Sequence, residues 1–267
     1  MSGAQKVSGF KPLISGGVVR DGINPFLRAG DHDLDHLSFD LLKLPAKTSI
    51  PARTERNEAL VVVLEGVVTA TAGAARKGRS KKGSTEGRFV WDSIGRRLKP
   101  NEGPPYAFYV PPGTAFALWG EREALVAVMS AESPGGDEIN LITPESGETP
   151  PEDEWRLILG PEFGARKLLV AERSISRGGT VSVPEVDGAL EVAFYLRLFR
   201  DGDGPPEPAV LSGSESGTGT GLPLPDGAAV ALAKGGCRLD LSEKTSGYVL
   251  LTVAADKREA AAEALCG

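Results

Sequence analysis

Ala59-Leu60-Val61-Val62-Val63-Leu64-Glu65-Gly66-Val67-Val68-Thr69-Ala70-Thr71-Ala72-Gly73 is the stretch whose reading decides the fold. It is dense in valine and threonine and is broken once, by Gly66. Side chains branched at Cβ are stiff in a helix and pack well on a pleated surface, so the stretch reads as two strands around a tight turn. Upstream, His36-Leu37-Ser38-Phe39-Asp40-Leu41-Leu42-Lys43-Leu44 alternates apolar and polar residues with one doubled position, the pattern of a half-buried strand. The residues between, 45–56, are polar and turn-like. Downstream, short strands are expected at 88–91, at 106–110 before Pro111-Pro112-Gly113, at 116–119 and at 124–129. Residues 1–30 are glycine-rich with weak periodicity, and Val18-Val19 could open a strand.

The character changes over residues 132–154, which are acidic and rich in proline and glycine. Beyond them the same grammar returns, with strands expected at 167–172, 190–199, 229–233 and 248–253. Residues 212–221 are a Ser/Gly/Thr run read as a loop, and the alanine-rich tail 257–265 is the one convincing helix. Many short strands with frequent turn signals belong to antiparallel sandwiches and jelly rolls, whereas a parallel α/β sheet would need helices between its strands. The expected organisation is all-β, with an N-terminal domain over residues 1–135, a linker over 136–154 and a C-terminal domain over 155–267.

With 267 residues, 34 glycines and 20 prolines, the chain suits two strand-rich domains better than long helices. The net charge of −6 argues against a nucleic-acid or acidic-membrane partner. One local exception is the basic segment 76–88, read as a solvated loop. Two cysteines, Cys237 and Cys266, make no disulfide framework, and no run has the length of a membrane span, so the expected setting is cytoplasmic.

The search for chemistry returns mostly absences. The sequence holds no HExxH, CxxC or GxSxG, and the glycine run at 213–221 has no strand-to-helix context for phosphate binding. Only two histidines occur, His32 and His36. On a strand, residues four apart share a face but stand about 13 Å apart, too far to hold one metal together.

Three stretches carry a family resemblance: residues 37–44 above, Asn57-Glu58-Ala59-Leu60-Val61-Val62-Val63-Leu64-Glu65-Gly66, and Gly103-Pro104-Pro105-Tyr106-Ala107-Phe108-Tyr109-Val110-Pro111-Pro112-Gly113-Thr114. A fourth, Ala127-Val128-Met129-Ser130-Ala131, is similar to the strand that closes the family's first domain. Together they resemble the 5-deoxyglucuronate isomerases (IolB) of myo-inositol catabolism and their relatives the 5-keto-4-deoxyuronate isomerases (KduI). The resemblance implies a bicupin: two tandem RmlC-like jelly rolls, or double-stranded β-helix domains, here with a short C-terminal helix.

It also implies where a divalent transition metal would sit, on an HxH pair, a glutamate and a distant histidine of the second cupin. Glu191, in Leu190-Glu191-Val192-Ala193-Phe194-Tyr195, matches the glutamate. Glu185 and Asp187 fall on the HxH positions if one residue is deleted, and Cys237 takes the place of the last histidine. Three carboxylates and a thiol suit no single ion well, since carboxylates favour hard cations and thiolate soft ones. The expectation is therefore no metal cofactor and a bicupin that has lost the isomerase chemistry, binding a sugar acid or similar small molecule at Glu185, Asp187, Glu191 and Cys237. The alternatives are an active isomerase with an altered site, in which Lys234 or Arg197 replaces the ion, and a purely structural or oligomerisation role. A homodimer is expected from the fold.

Overall fold

The structure, a computed structural model, describes residues 13–15, 19–29, 34–54, 56–66, 68–74, 106–133, 141–142, 154–200, 202–213, 221–232 and 236–266. The basic segment 76–88, the strand expected at 88–91, residues 214–220, His32 and Lys234 lie outside the described residues.

The first half contributes β1 (Leu13–Ser15), β2 (Gly22–Leu27), β3 (Leu37–Leu44), β4 (Ser49–Arg53) and β5 (Asn57–Glu65). It continues with β6 (Val68–Ala74), β7 (Tyr106–Val110), β8 (Thr114–Gly120) and β9 (Ala124–Glu132). A two-residue strand, β10 (Leu141–Ile142), falls within the acidic connecting segment. The second half holds β11 (Arg156–Leu159), β12 (Leu168–Ile175), β13 (Thr180–Val183), β14 (Ala189–Arg200) and β15 (Ala209–Gly213). It ends with β16 (Leu222–Leu224), β17 (Ala229–Leu232), β18 (Cys237–Asp240), β19 (Thr245–Ala255) and the helix α1 (Arg258–Cys266).

These strands form two six-stranded sheets, in the orders β10-β7-β5-β9-β3-β2 and β1-β17-β14-β19-β12-β11. Two smaller sheets, β4-β8-β6 and β13-β18-β15-β16, complete the halves. In each half the large and small sheets enclose an apolar core: Leu42, Val61, Phe108 and Leu118 in the first, Val181, Phe194, Leu239 and Leu251 in the second. A third core joins the halves, because the two large sheets pack on each other through Phe39, Leu60, Met129, Val170, Tyr195 and Leu250. The chain is thus a bicupin, two jelly rolls back to back.

This stacking explains the opening stretch. Along β5, Ala59, Val61 and Val63 point into the first jelly roll, while Leu60, Val62 and Leu64 point into the seam between halves. A strand buried on both faces has no polar side to show, so it reads as a continuous apolar run rather than an alternation. Gly66 marks the end of β5, with φ at +82° and a position where a Cβ would collide with the Glu123 carbonyl oxygen. The strands on its two sides do not pair with each other: β5 lies in the large sheet and β6 in the small one. The turn carries the chain across the corner of the sandwich.

Residues 45–56, expected as turn, contain β4, which pairs with β8 through Ile50↔Leu118. Its partner is distant in sequence, so neighbouring residues give no sign of it. The expected C-terminal helix is present, and its Ala261 and Leu265 close the second core. No helix among the described residues is long and apolar enough to cross a membrane.

The halves correspond strand for strand: β2, β3, β5, β9 and β7 occupy the places of β11, β12, β14, β19 and β17. The outermost strands are exchanged. β1 precedes the first half yet pairs with β17 of the second, with Leu13 opposite Ala231. β10 leads into the second half yet pairs with β7 of the first.

Candidate functional site

The family resemblance puts the metal in the second jelly roll, at the four matched residues. Val186, between Glu185 and Asp187, is buried in the second core, and the alternation leaves Glu185 and Asp187 exposed. On β14 the inward residues are Val192, Phe194, Leu196 and Leu198. Cys237 does face the interior, packed among these apolar side chains. Burial pushes its thiol up to about 12, so it is protonated at neutral pH and offers neither a thiolate ligand nor a nucleophile.

Glu191 is turned the other way, into the seam between halves. A register shift in the pairing of β14 with β19 lies between Ala189 and Glu191. The Glu191 carboxylate accepts hydrogen bonds from three consecutive backbone N–H groups at the start of β3: Asp35 at 2.5 Å, His36 at 3.0 Å and Leu37 at 2.7 Å. Its acceptor capacity is engaged by the first half, and it is 6% exposed. The four residues are therefore not brought together, and no group of three or more His, Cys, Asp or Glu able to hold a metal occurs among the described residues. The apolar side chains that pack the second core surround one protonated thiol and offer no donors for a divalent transition metal.

Sequence reading missed the counterpart of Glu191 in the first half. Glu58, near the start of β5, does the same in reverse. Its carboxylate, 0% exposed, accepts from the backbone N–H groups of Arg166 at 2.9 Å, Lys167 at 2.6 Å and Leu168 at 2.7 Å, at the start of β12. The Tyr109 hydroxyl donates to it at 2.8 Å, and burial beside this carboxylate drives the phenol far above its ordinary pKa. The signal was present as Asn57-Glu58 and Leu190-Glu191, each placing one acid immediately before a buried apolar run. A charge there needs a specific partner.

Two further polar clusters lie along the seam. Arg156 grips Glu172 through Nε and Nη2, and the Tyr248 hydroxyl donates to the same carboxylate at 2.7 Å. Burial raises the Glu172 pKa despite the opposing influence of Arg156 and Tyr248. At the rim, Arg197 donates to Glu65 of the first half at 2.6 Å and to Asp226 at 3.2 Å. Arg197, a candidate stand-in for the metal, is thus committed at the seam and does not point into the second jelly roll.

Residues 19–151 match the KduI/IolB family. Over that span the chain belongs to the KduI/IolB family. Among solved structures it is similar to an IolB-like protein from Salmonella typhimurium LT2, with a TM-score of 0.72 and 22% identity, covering 92% of this chain and 94% of that one. It is also similar to a variant oxalate decarboxylase from Bacillus subtilis, with a TM-score of 0.60 and 10% identity over 95% of this chain and 79% of the other. Procruciferin, an 11S globulin of Brassica napus, matches with a TM-score of 0.56 and 10% identity over 94% and 86% of the two chains. No curated protein matches the sequence. These neighbours share a fold, and a fold does not carry an activity with it. What distinguishes this KduI/IolB-family chain must come from its own residues, and its two best-engaged carboxylates join the halves.

Proposed function

We propose that this KduI/IolB-family bicupin works without the metal-dependent aldose–ketose isomerase chemistry of its relatives, as a non-catalytic binding or scaffold protein. The observation that supports this reading is the orientation of Glu191. The one residue that matches a family metal ligand in kind commits both oxygens to backbone N–H groups of the other half. Isomerisation requires a proton to move beside a carbonyl while enolate charge is stabilised, and this needs preorganised cations or donors facing the substrate. Metal analysis of protein purified without chelators tests the reading, together with an assay for interconversion of hexuronate-type aldoses and ketoses. Sub-stoichiometric metal and no turnover are expected; one transition metal per chain with turnover would overturn it.

A further inference from the structure

The two carboxylate clamps are related by the pseudo-symmetry of the chain. Glu58 pairs across its sheet with Ala131 of β9, and Glu191 with Ala254 of β19. Leu37, the last donor to Glu191, pairs with Ala131, and Leu168, the last donor to Glu58, pairs with Ala254. Each half therefore presents a buried acid and, close beside it, the three N–H groups that the other half's acid requires. Three successive N–H groups aimed at one carboxylate form an anion-binding concavity, and charge-assisted bonds of this kind are short and strong. The exchanged strands β1 and β10 repeat the relation at the sheet edges, and one apolar core fills the space between.

This is the anatomy of an isologous dimer interface, in which the same patch on both partners completes itself. We propose that the seam is a self-sufficient interaction surface whose partner is the other half of the chain, and that Glu58 and Glu191 are the positioning residues that fix its register. Docking of the halves then does not require that they be covalently joined.

A site for a specific protease is placed within residues 143–150 of the full chain, the protein is folded and then cleaved, and its mass is followed by light scattering on dilution from micromolar to nanomolar concentration. The cleaved chain is expected to keep the mass of the uncut one and to unfold in a single transition. Separation into two fragments, or two separate transitions, overturns the proposal.

A second measurement addresses the clamps. Glu191→Gln keeps the volume but turns an amide donor toward backbone N–H groups that need an acceptor. The dissociation constant between the cleaved halves is expected to rise by about 30-fold or more, while the uncut variant keeps its strand circular dichroism. A rise below about tenfold overturns the role given to Glu191. Should the uncut variant lose its sheet signal, Tyr109→Phe removes one donor from Glu58 at nearly constant volume. It is then expected to weaken the cleaved complex by about fivefold, and an unchanged constant counts against the proposal.

Discussion

The first and second halves share their strand order and their clamping acids, yet they treat the rest of the seam differently. Where the second half has Glu172 opposite Leu250, the first has Leu41 opposite Ala127. Where Arg156 meets Glu172, the first half has Asn24 beside Leu41, its side chain donating to the Leu41 carbonyl at 3.2 Å. Conversely, Tyr109, which supports Glu58, corresponds to Ala231 in the second half. Positions alike in both halves are those the docking requires, and positions that differ are separate solutions to filling the same space. At the place of Glu172 in the buried cluster Arg156–Glu172–Tyr248, the other half has the apolar Leu41.

The contrast can be broken experimentally, and the clamps offer the largest effect. Glu58→Ala strips a partner from three N–H groups and from the Tyr109 hydroxyl, and is expected to cost about 3–5 kcal/mol in chemical denaturation. Glu191→Ala lacks the tyrosine and is expected to cost about 1 kcal/mol less. The reverse order would show that the clamps are not equivalent in the way the pairing register indicates.

Next in size comes the second half's own cluster. Arg156→Leu alone leaves the buried Glu172 without its cation and is expected to cost about 2–3 kcal/mol. Glu172→Leu with Tyr248→Phe brings the second half nearer to the arrangement of the first and is expected to stay within about 1 kcal/mol of the parent. A double variant as damaged as the single one would make the cluster indispensable and undo the comparison.

Smaller still is a pH effect. Burial raises the Glu172 pKa above its unfolded value, so the folded state holds this proton more tightly than the unfolded state does. That contribution to stability is fully present below the ordinary carboxylate range and is lost as pH rises through the folded pKa. Subtracting the stability of Glu172→Gln from that of the parent, pH by pH, is expected to give a difference that falls across this window. A flat or rising difference would mean that Arg156 and Tyr248 outweigh burial.

The smallest effect belongs to Thr252, whose buried hydroxyl has no hydrogen-bond partner among the described residues and whose counterpart in the first half is Met129. Thr252→Val is expected to be neutral or to stabilise by up to about 1 kcal/mol. A loss of stability would reveal a partner for the hydroxyl.

How much of this was legible in the sequence depends on whether a residue's partner lies close by. The runs at β5, β14 and β19 could be read directly, because burial on both faces leaves an unbroken apolar signature in the residues themselves. Strand β4 was not, since a five-residue strand containing Pro51 gains its pairing from β8 far along the chain. For the candidate site, Glu191 could be found by resemblance but its orientation could not. That orientation follows from the alternation of β14, in which Glu191 shares the seam face with Ala193 and Tyr195, and it is satisfied by backbone N–H groups of residues 35–37, donors that leave no mark in a sequence. Glu58 was visible only as the opening of a familiar stretch. Its partners, residues 166–168, gave no compositional sign of their role.

The pairing of Leu13 with Ala231 has a consequence for how the protein is made. The first half leaves the ribosome with Leu60 and Met129 bare on its seam face and with Glu58 held only by Tyr109 until residues 166–168 follow, while β1 waits for β17, near the end of the second half. Contacts so remote along the chain close slowly, and a two-faced sheet left half bare is open to the wrong neighbours in the meantime. Translation pauses or chaperone capture between the halves would therefore bear on the yield of native protein more than the strength of either half's own core.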